Sequence, residues 1–387
     1  MNFVFISPNF PEQFRFFCKA LKEAGATVHG LGDTFYDDLH PELKESLTEY
    51  YKVSDMHSYD ELVRALGFLT HKYGKIDRID SLNEYWLETE CLLRTDFNIP
   101  GIKAEQIDEI RKKSGMKKVF QRARVRTIRG ELIQSEDHAL KFIKTTGFPV
   151  VVKPNSGVGA QSTFRLNNSE DLNKFLKKFN ITDFIIEEFI EGTLHSFDGL
   201  VDSFGNLAFC TAHNYSAGVM ETVNDNMHIQ YYSLINIPKK LISAGKRIIK
   251  AYGVTERFFH LEFFRTAAGE YIALEMNMRP PGGYTTDMFN WSTDADIYKT
   301  WADVIVKKVS GTDKERKYHC AFASRKNHLN YQFSHADIIQ KYGLDLSRHM
   351  VMPDVFRSAM GDYAYIFRSR NEEKIHEITN FIHAIKD

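Results

Sequence analysis

Residues 258–280 have the sequence FFHLEFFRTAAGEYIALEMNMRP, in which two hydrophobic runs are joined by a short segment that contains a glycine. The runs 258–265 and 271–279 are rich in aromatic and aliphatic side chains, which is typical of β-strands. Only residues 266–270 separate the runs, so the two strands can pair through a short turn. We therefore predict an antiparallel β-hairpin at this point in the chain.

The second strand of this hairpin carries three polar side chains on one face. Side chains two positions apart in a strand point to the same side of the sheet. Glu275, Asn277 and Arg279 therefore project together, while apolar side chains occupy the opposite face. Pairing within the hairpin brings Glu262 to within a residue or two of the position that faces Glu275. Two carboxylates and an amide oxygen are therefore expected to converge.

This set of oxygen ligands suits a divalent metal ion. Mg²⁺ prefers carboxylate and carbonyl oxygens and completes its coordination with water and substrate phosphates, and Mn²⁺ accepts similar ligands. We predict Glu262, Glu275 and Asn277 as the metal ligands. The alternative is an exposed polar sheet face on which Glu275 and Arg279 only pair by charge.

A second candidate site lies upstream, where Lys153 ends a strand-like run of valines and is followed by a loop with Gly157 and Gly159. A lysine in this position can hold a phosphate as a point charge, and glycines allow backbone N–H groups to approach an anion. The alternative is a lysine that extends from the strand end into solvent, next to an ordinary glycine turn.

The first hundred residues alternate short strands with amphipathic helices. Ser58 and Glu61 form a capping box, which predicts the start of a helix that ends at Gly74. Such alternation predicts an open parallel α/β layer of the Rossmann type. No GxGxxG motif follows the first strand, so a dinucleotide site is not supported. Strands are predicted at 3–6, 27–31 and 76–82, and helices at 10–21 and 59–73.

Farther along the chain, the pattern becomes less regular. Residues 213–232 show no clear periodicity, and they indicate either a loop that contacts substrate or a long surface connection. The charged stretch 307–317 indicates a linker or an exposed loop. Helices are predicted at 105–123, 136–146, 170–179 and 238–252, and strands at 150–154 and 184–190.

In their order along the chain, these elements resemble the ATP-grasp superfamily. The resemblance covers about residues 105–300, and its most specific motif is Glu-x-Asn-x-Arg at 275–279, which continues as Pro-Pro-Gly-Gly and is most similar to the carboxylate-amine ligase and L-amino-acid ligase branch. It implies an α/β and α+β multidomain fold. The implied parts are a Rossmann-like pre-ATP-grasp domain at 1–110, an ATP-grasp domain of two α+β subdomains clasping ATP at 111–308 with a lid at about 121–180, and a C-terminal α+β segment at 309–387.

The resemblance also implies a role for each motif. Lysines would hold the ATP phosphates, the segment after 186 would line the adenine slot, and Arg279 would be the catalytic residue that stabilises an acyl phosphate. Leu194 stands where many family members carry a glutamate that binds ribose, so His195 is the expected substitute. The expected ATP contacts are Lys113, Lys117, Lys153, Ser156, Gly157, Gly159, Glu187, Glu188, Ile190 and His195, and the expected substrate contacts are Gly282, Gly283 and Asp287.

These expectations describe an ATP-dependent, ADP-forming ligase. A carboxylate, with an amino acid as the expected case, is activated as an acyl phosphate and then attacked by an amine. One alternative is a regulatory or degenerate ATP-grasp protein that binds nucleotide without ligase turnover, which the change at Leu194 would permit. Another is an ATP-grasp carboxylase or a kinase-like phosphotransferase.

The composition excludes some kinds of binding partner for this protein. Lys plus Arg total 50 against 51 for Asp plus Glu among 387 residues, and a net charge of −1 excludes the basic balance of a dedicated nucleic-acid binder. The four cysteines form no CxxC pair, and the first residues lack the features of a signal peptide. We expect a cytoplasmic protein with small-molecule carboxylate and amine substrates and no nucleic-acid or membrane partner, and we leave a homodimer open.

Overall fold

The structure of the chain is a computed structural model that describes residues 1–157, 162–216, 226–309 and 314–386. These residues contain a four-stranded parallel sheet, a four-stranded antiparallel sheet and an eight-stranded antiparallel sheet, each accompanied by helices. The combination confirms the predicted α/β and α+β multidomain class. No helix of the described residues is both long and apolar enough to cross a membrane.

The N-terminal sheet is parallel, as its alternating pattern predicts. Its strands follow the order β3-β2-β1-β4. The strands are β1 (Asn2–Ile6), β2 (Thr27–Gly32), β3 (Glu49–Lys52) and β4 (Arg78–Asp80). The helices are α1 (Phe14–Glu23), α2 (Pro41–Ser46), α3 (Tyr59–Tyr73) and α4 (Leu87–Asp96), and a 3-10 helix spans Tyr36–Asp38.

Two helix starts in this layer show how local chemistry sets the boundaries. The Ser58 side chain accepts a hydrogen bond from the Glu61 backbone N–H, so α3 begins where the capping box predicts. The first helix begins four residues later than predicted, at Phe14, because Phe10 precedes Pro11 and a residue before proline avoids helical backbone angles.

Two consecutive helices replace the single helix predicted at 105–123. They are α5 (Ile107–Arg111) and α6 (Lys113–Arg122), preceded by a 3-10 helix at Ala104–Gln106. Lys112 has extended angles, with φ −90° and ψ 124°, and breaks the helix there. Gly115 permits the two helices to pack closely, since a Cβ at this position would lie 2.2 Å from the Asp108 carbonyl oxygen. After the break, α6 continues in a separate direction, toward the second sheet.

The second sheet is small and antiparallel, with the order β5-β8-β6-β7. Its apolar face and two helices form one core, to which Phe142, Phe175 and Ile186 belong. Its strands are β5 (Gly130–Leu132), β6 (Val150–Pro154), β7 (Phe164–Leu166) and β8 (Phe184–Glu188). The helices are α7 (Glu136–Thr146) and α8 (Ser169–Lys178), with a 3-10 helix at Ile181–Asp183.

The third sheet has eight antiparallel strands in the order β13-β12-β9-β10-β11-β14-β16-β15. The predicted hairpin is confirmed, as β12 and β13. Of the stretch 213–232, residues 213–215 and 230–232 lie in strands of this sheet, and residues 217–225 lie outside the described residues. The strands are β9 (Thr193–Val201), β10 (Leu207–Tyr215), β11 (Gln230–Ser233), β12 (Arg257–Arg265), β13 (Tyr271–Asn277), β14 (His319–Arg325), β15 (Leu346–Val351) and β16 (Tyr363–Ser369).

The C-terminal segment extends this third sheet, since β14 pairs with β11. The helices of the second half are α9 (Lys239–Tyr252), α10 (Thr285–Thr293), α11 (Ile297–Lys307), α12 (His335–Tyr342), α13 (Asp354–Met360) and α14 (Glu372–His383). On α11, Trp301 packs edge-on against Phe3 and Phe17 of the N-terminal layer. The boundaries at 110 and 308 and the lid at 121–180 stay predictions.

Candidate active site

A cavity of about 620 Å³ lies between the small sheet and the large sheet. Strands β6 and β8 contribute Lys153 and Glu187 to one wall, and the β12–β13 hairpin contributes Glu262, Glu275 and Asn277 to the other. Residues that are more than a hundred positions apart in sequence therefore meet at a single site. The small sheet, the large sheet and the first turn of α6 together position the charged side chains.

The hairpin register brings the predicted metal ligands together. Glu262 pairs directly with Glu275, and Asn277 lies two residues farther along the same face. Burial and the nearby Glu262 raise the pKa of Glu275, although Lys113 acts in the opposite direction. The pKa of Glu262 is lowered, because a hydrogen bond and charge from His260 outweigh the effect of burial.

This donor set fits a divalent cation. Glu262 and Glu275 are half-buried carboxylates at paired positions on neighbouring strands. Burial and, to a smaller extent, Glu262 raise the pKa of Glu275, and a cation would offset the repulsion between the two carboxylates. No three His, Cys, Asp or Glu side chains of the described residues form a metal site by themselves. An ion such as Mg²⁺ would take its other ligands from the Asn277 amide, water and substrate oxygens.

A buried hydrogen-bonded chain holds Glu262 from behind. His260 Nδ1 lies 2.5 Å from Asp198 Oδ1, and His260 Nε2 lies 3.1 Å from Glu262 Oε1. Asp198 also accepts a hydrogen bond from the Ser196 hydroxyl at 2.5 Å and contacts His213 Nδ1 at 2.7 Å. Burial alone would lower the pKa of His260, but the two carboxylates raise it to about 10. A charged imidazole therefore fixes one oxygen of Glu262, and the sequence pattern did not reveal this arrangement.

Two of the three predicted phosphate-binding lysines share one carboxylate. Lys153 Nζ lies 2.8 Å from Glu187 Oε2, and Lys117 Nζ lies 2.7 Å from Glu187 Oε1. Lys117 also donates to the Ile128 carbonyl at 2.7 Å and is not among the cavity-lining side chains of the described chain. The third, Lys113, lines the cavity with its Nζ 3.9 Å from Glu275 Oε1. Lys113 and Lys153 are therefore the two lysines placed to meet a phosphate.

The electrostatics of this cluster favour the charged form of Lys153. Burial would raise the pKa of Glu187, but Lys153 and Lys117 lower it to about 2. Burial would lower the pKa of Lys153, but Glu187 and Glu275 raise it overall. For Lys117 the effect of burial is larger than that of Glu187, and its pKa is lowered. Glu187 thus holds the Lys153 ammonium group in the cavity wall.

The segment between β8 and β9 forms another part of the wall. Glu187, Glu188 and Ile190, the residues expected at the adenine slot, all line the cavity. Glu188 is held in place because its Oε1 accepts a hydrogen bond from the Arg129 backbone N–H at 2.8 Å. Gly192 allows this segment to pass close to β12, where a Cβ would lie 2.7 Å from the Arg265 carbonyl oxygen.

The remaining nucleotide contacts are distributed differently from the prediction. Ser156 and Gly157 are exposed and do not line the described part of the cavity, although the Gly157 carbonyl accepts a hydrogen bond from Lys113 at 3.3 Å. Gly159 lies outside the described residues. His195 points away from the cavity lining toward Thr193, with Nε2 3.1 Å from Thr193 Oγ1, and burial lowers its pKa to about 4. The cavity is lined at this point by Leu194.

Arg279 lines the cavity at the end of β13. Its Nε lies 3.2 Å from Glu84 Oε2, and its Nη1 donates to the Pro280 carbonyl at 2.8 Å. Glu84 belongs to the N-terminal layer, so the guanidinium is oriented from across the domain junction. No sequence pattern indicates this partner, because Glu84 and Arg279 are distant in the chain.

The predicted substrate contacts separate into two groups. Gly282 lines the cavity, but Gly283 and Asp287 are not among the lining residues of the described chain. The Gly283 carbonyl accepts a hydrogen bond from Gln13 Nε2 at 2.7 Å. Asp287 is buried and accepts a hydrogen bond from the Tyr298 hydroxyl at 2.8 Å. These two residues shape the surroundings of the cavity, because α10 turns away from it.

Another buried arginine connects the hairpin to the N-terminal layer. Arg257 Nη1 lies 2.8 Å from Asp80 Oδ2, and Nη2 lies 3.0 Å from Glu90 Oε2. Its Nε donates to the Met278 carbonyl at 2.6 Å, next to Arg279 in the chain. Burial opposes the charge of Arg257, but the two carboxylates raise its pKa. The β12–β13 hairpin is therefore tied to the parallel sheet.

The side chains at the far end of the cavity were not singled out from the sequence, although Tyr215, Ile229 and Tyr231 belong to the stretch 213–232 for which contact with substrate was one expectation. They come from the ends of β10 and β11 and from the last turn of α13, where no charged motif marks them. These lining residues are Tyr215, Ile229, Tyr231, Ala359 and Met360.

Comparison with known proteins identifies the architecture. Residues 146–287 match the family model of the ATP-grasp domain. An L-arginine-specific L-amino acid ligase from Bacillus subtilis is 24% identical over 321 residues, which cover 79% of this chain and 75% of that protein. The crystal structure of an L-amino acid ligase from Bacillus licheniformis is similar with a TM-score of 0.74 at 14% identity, covering 98% of this chain and 96% of that one.

A further similar solved structure belongs to a carboxylase. It is the biotin carboxylase domain of the Hydrogenobacter thermophilus 2-oxoglutarate carboxylase, crystallised with MgADP and bicarbonate. Its TM-score is 0.70 at 18% identity, and the match covers 99% of this chain and 90% of that one. At these identities the solved structures show the fold, and the chemistry of the chain must be argued from its own residues.

Proposed function

This chain carries an ATP-grasp domain, and from that premise we propose that it is an ATP-dependent ligase that joins a carboxylate to an amine with release of ADP and phosphate. The observation that carries the proposal is the convergence of Glu262, Glu275, Asn277 and Arg279 with Lys153 on one cavity between two sheets. A protein that only bound nucleotide would not require an oriented arginine next to the metal-type ligands.

The walls of the cavity suit the parts of ATP. The segment that contains Glu188 and Ile190 offers backbone groups and an apolar side chain to the base. Lys113 and Lys153 supply positive charge for the phosphates, and Glu187 keeps the second of these in position. Lys117 acts on the phosphates only through Glu187, as a positioning residue.

Glu262, Glu275 and Asn277 are the residues that would hold Mg²⁺ or Mn²⁺. When bound, the ion supplies positive charge that offsets the negative charge of the β- and γ-phosphates during transfer. His260 fixes Glu262 by a hydrogen bond, so that its other carboxylate oxygen stays available as a ligand.

The reaction consists of two displacements. A carboxylate oxygen attacks the γ-phosphorus, the bond to the β-phosphate bridging oxygen breaks, and ADP leaves. The amine nitrogen then attacks the carbonyl carbon of the acyl phosphate, the C–O bond to phosphate breaks, and the nitrogen loses a proton to give the amide. Arg279 stabilises the negative charge that develops on the acyl phosphate and on the tetrahedral intermediate.

The test is a matrix of carboxylates against amines with the purified chain, Mg²⁺ and ATP, scored by phosphate release and product mass. We expect at least one pair to raise phosphate release above the ATP-only rate and to yield a product whose mass equals acid plus amine minus water. ATP binding without stimulated release by any pair would contradict the proposal and favour a regulatory ATP-grasp protein. A phosphorylated product would favour a kinase-like phosphotransferase, and a carboxylated product would favour an ATP-grasp carboxylase.

A further inference from the structure

The cavity has an apolar end that the proposed nucleotide chemistry does not use. Its walls surround the loop that follows Arg279, and they are Ile229, Tyr231, Pro281, Thr285, Ala359 and Met360. None of these side chains carries a formal charge. This end of the cavity therefore differs in its chemistry from the end near the hairpin, which is lined by lysines and carboxylates.

The hydroxyl groups at this end already have partners. The Tyr231 hydroxyl and Thr285 Oγ1 lie 2.8 Å apart, and Thr285 Oγ1 donates to the Gly282 carbonyl at 2.8 Å. Tyr231 is also stacked between Tyr215 and Phe322, with ring centroids 5.0 and 5.1 Å away. A polar side chain entering this space would have to compete for hydrogen bonds that the wall already makes with itself.

Helix α13 closes this end of the cavity, and it is fixed from two sides. Lys326, a buried lysine of the C-terminal segment, donates to the carbonyls of Arg357 and Ser358 at 2.8 and 2.9 Å. On the other side Phe356 stacks on Phe10 of the N-terminal layer, with centroids 5.8 Å apart and an interplanar angle of 18°. The helix therefore bridges the C-terminal segment and the parallel sheet.

Met360 is the contact between α13 and the loop after Arg279. Gly283 has a φ of +62°, and a Cβ there would lie 2.3 Å from the Met360 Cε and 2.4 Å from its Sδ. The thioether thus rests directly on the backbone of the loop while the side chain also lines the cavity. Removing its three outer atoms would enlarge the apolar end without touching a charged residue.

We infer that the carboxylate substrate carries an uncharged, apolar side chain, which lies against Tyr231 and Ile229, and that Met360 sets the upper limit of its size. The inference rests on the proposed ligase function. The proposed role of Arg279 places the carboxylate next to it, and Pro281 and Gly282, which follow Arg279 closely in the chain, line the apolar end of the cavity. A charged side chain there would lose its water without gaining a charged partner from the described residues Ile229, Tyr231, Pro281, Thr285, Ala359 and Met360.

The experiment traps the acyl phosphate with hydroxylamine. Hydroxylamine nitrogen attacks the carbonyl carbon and phosphate leaves, so a hydroxamate reports the acid whichever amine is the natural acceptor. The full chain with Mg-ATP is offered leucine, methionine and phenylalanine against aspartate and lysine. We expect kcat/KM for hydroxamate formation to be at least about tenfold higher for the best apolar acid than for either charged one.

Variants of α13 test the size limit. In Met360→Ala the ratio of phenylalanine to leucine in kcat/KM is expected to rise by about tenfold, because the freed space accepts the larger ring. Val355→Ala is the matched control on the same helix, since Val355 is 63% exposed, and its ratio is expected to stay unchanged. Met360→Leu keeps the volume and is also expected to keep the ratio. Thermal unfolding of each variant checks that α13 remains folded.

The outcomes test the inference about the substrate side chain separately from the proposed ligase function. Hydroxamate from aspartate or lysine at a rate equal to leucine would overturn the apolar assignment and leave the ligase standing. An unchanged phenylalanine-to-leucine ratio in folded Met360→Ala would overturn the role of Met360. Hydroxamate from no acid at all, in a chain that binds ATP, would overturn the proposed function and this inference with it.

Discussion

Glu187 shows how a residue can be predicted to be in a site and still have an unforeseen partner. The sequence placed it at an adenine slot, and it does line the cavity. Its carboxylate, however, joins Lys117 to Lys153, and the pairing depends on a contact between α6, β6 and β8. No short-range pattern contains that contact, so the position was predictable and the ion pairs were not.

Replacing Glu187 by Gln is expected to lower the free energy of unfolding by about 3–5 kcal/mol at neutral pH, because two buried ammonium groups lose their counter-charge. The folded pKa of about 2 lies below the ordinary value of 4.5, so the carboxylate stabilises the fold above about pH 4.5 and loses that effect as the pH falls toward 2. Urea unfolding at several pH values measures the difference, which should shrink in acid. Glu191→Gln, an exposed change in the same segment, is the control; an equal loss in both variants would contradict the pairing.

Glu275→Gln is expected to reduce turnover by about 10²–10³-fold, because a metal-type carboxylate is replaced by a neutral amide. Since burial and Glu262 raise the pKa of Glu275, the neutral variant should unfold at the same or a higher urea concentration. Steady-state phosphate release and urea unfolding provide the two measurements. Glu270→Gln, in the turn of the same hairpin, leaves the cavity untouched and should keep full activity. Wild-type turnover in Glu275→Gln would contradict the assignment of Glu275 as a metal ligand.

The sugar of the nucleotide is expected to be held weakly. Leu194 lines the cavity at the position where many members of the resembled family carry a ribose-binding glutamate, and it pairs with Phe264 across the sheet. The Leu194 side chain cannot accept a hydrogen bond from a ribose hydroxyl. The kcat/KM for dATP should therefore lie within about threefold of that for ATP. A preference for ATP of more than about tenfold would mean that another group, such as Glu191 in the same wall, recognises the 2′-hydroxyl.

At the scale of elements, the hairpin was predictable and its neighbours were not. Strands β12 and β13 alternate polar and apolar residues and are joined by a short turn, so local sequence determines their pairing. Strand β9 is buried along nearly all its length and lies between β12 and β10, so it lacks the alternation that marks a strand with one solvated face. Helix α13 is short and has no buried face, and its role emerges only from its contacts.

Arg257→Lys is expected to lower the free energy of unfolding by about 2–4 kcal/mol, because lysine cannot reproduce the forked contacts to Asp80, Glu90 and the Met278 carbonyl. The same change should lower kcat, since Met278 precedes Arg279. Arg265→Lys, at the exposed end of the same strand, is the matched control. Thermal unfolding with and without substrates provides the measurement. Equal melting temperatures for the two variants would show that the junction does not stabilise the strand.

At the scale of the molecule, a net charge of −1 conceals a local concentration of charge. Lys113, Lys153, Glu262 and Glu275 all line one cavity, and the packing of two sheets brings these charges together. Sequence order predicted which motifs belong together, since their arrangement resembles a known family. It did not predict that the C-terminal segment completes the large sheet, because strand order within a sheet depends on long-range pairing. The expected cytoplasmic location and the homodimer stay predictions.

A chain truncated after residue 308 is expected not to fold stably. Truncation removes β14, β15 and β16, exposes the backbone edge of β11 and opens the core that contains Phe322 and Ile366. Circular dichroism and gel filtration of residues 1–308 should show a poorly structured or aggregated species. Far-UV spectra and cooperative unfolding like those of the full chain would contradict this and would make the C-terminal segment a separate unit.

The order of the chain has a consequence for how new products could arise. The residues proposed to handle phosphate and metal lie between Lys113 and Arg279, whereas the helix that closes the apolar end starts at Asp354. On these proposals, the size limit on the acid lies in a stretch of the gene separate from the phosphate and metal residues, while Ile229 and Tyr231 of the apolar end lie among those residues. Substitutions confined to 354–360 can therefore diversify the acid that is accepted while the ATP-consuming step is inherited intact, and a small library over this helix samples that diversity directly.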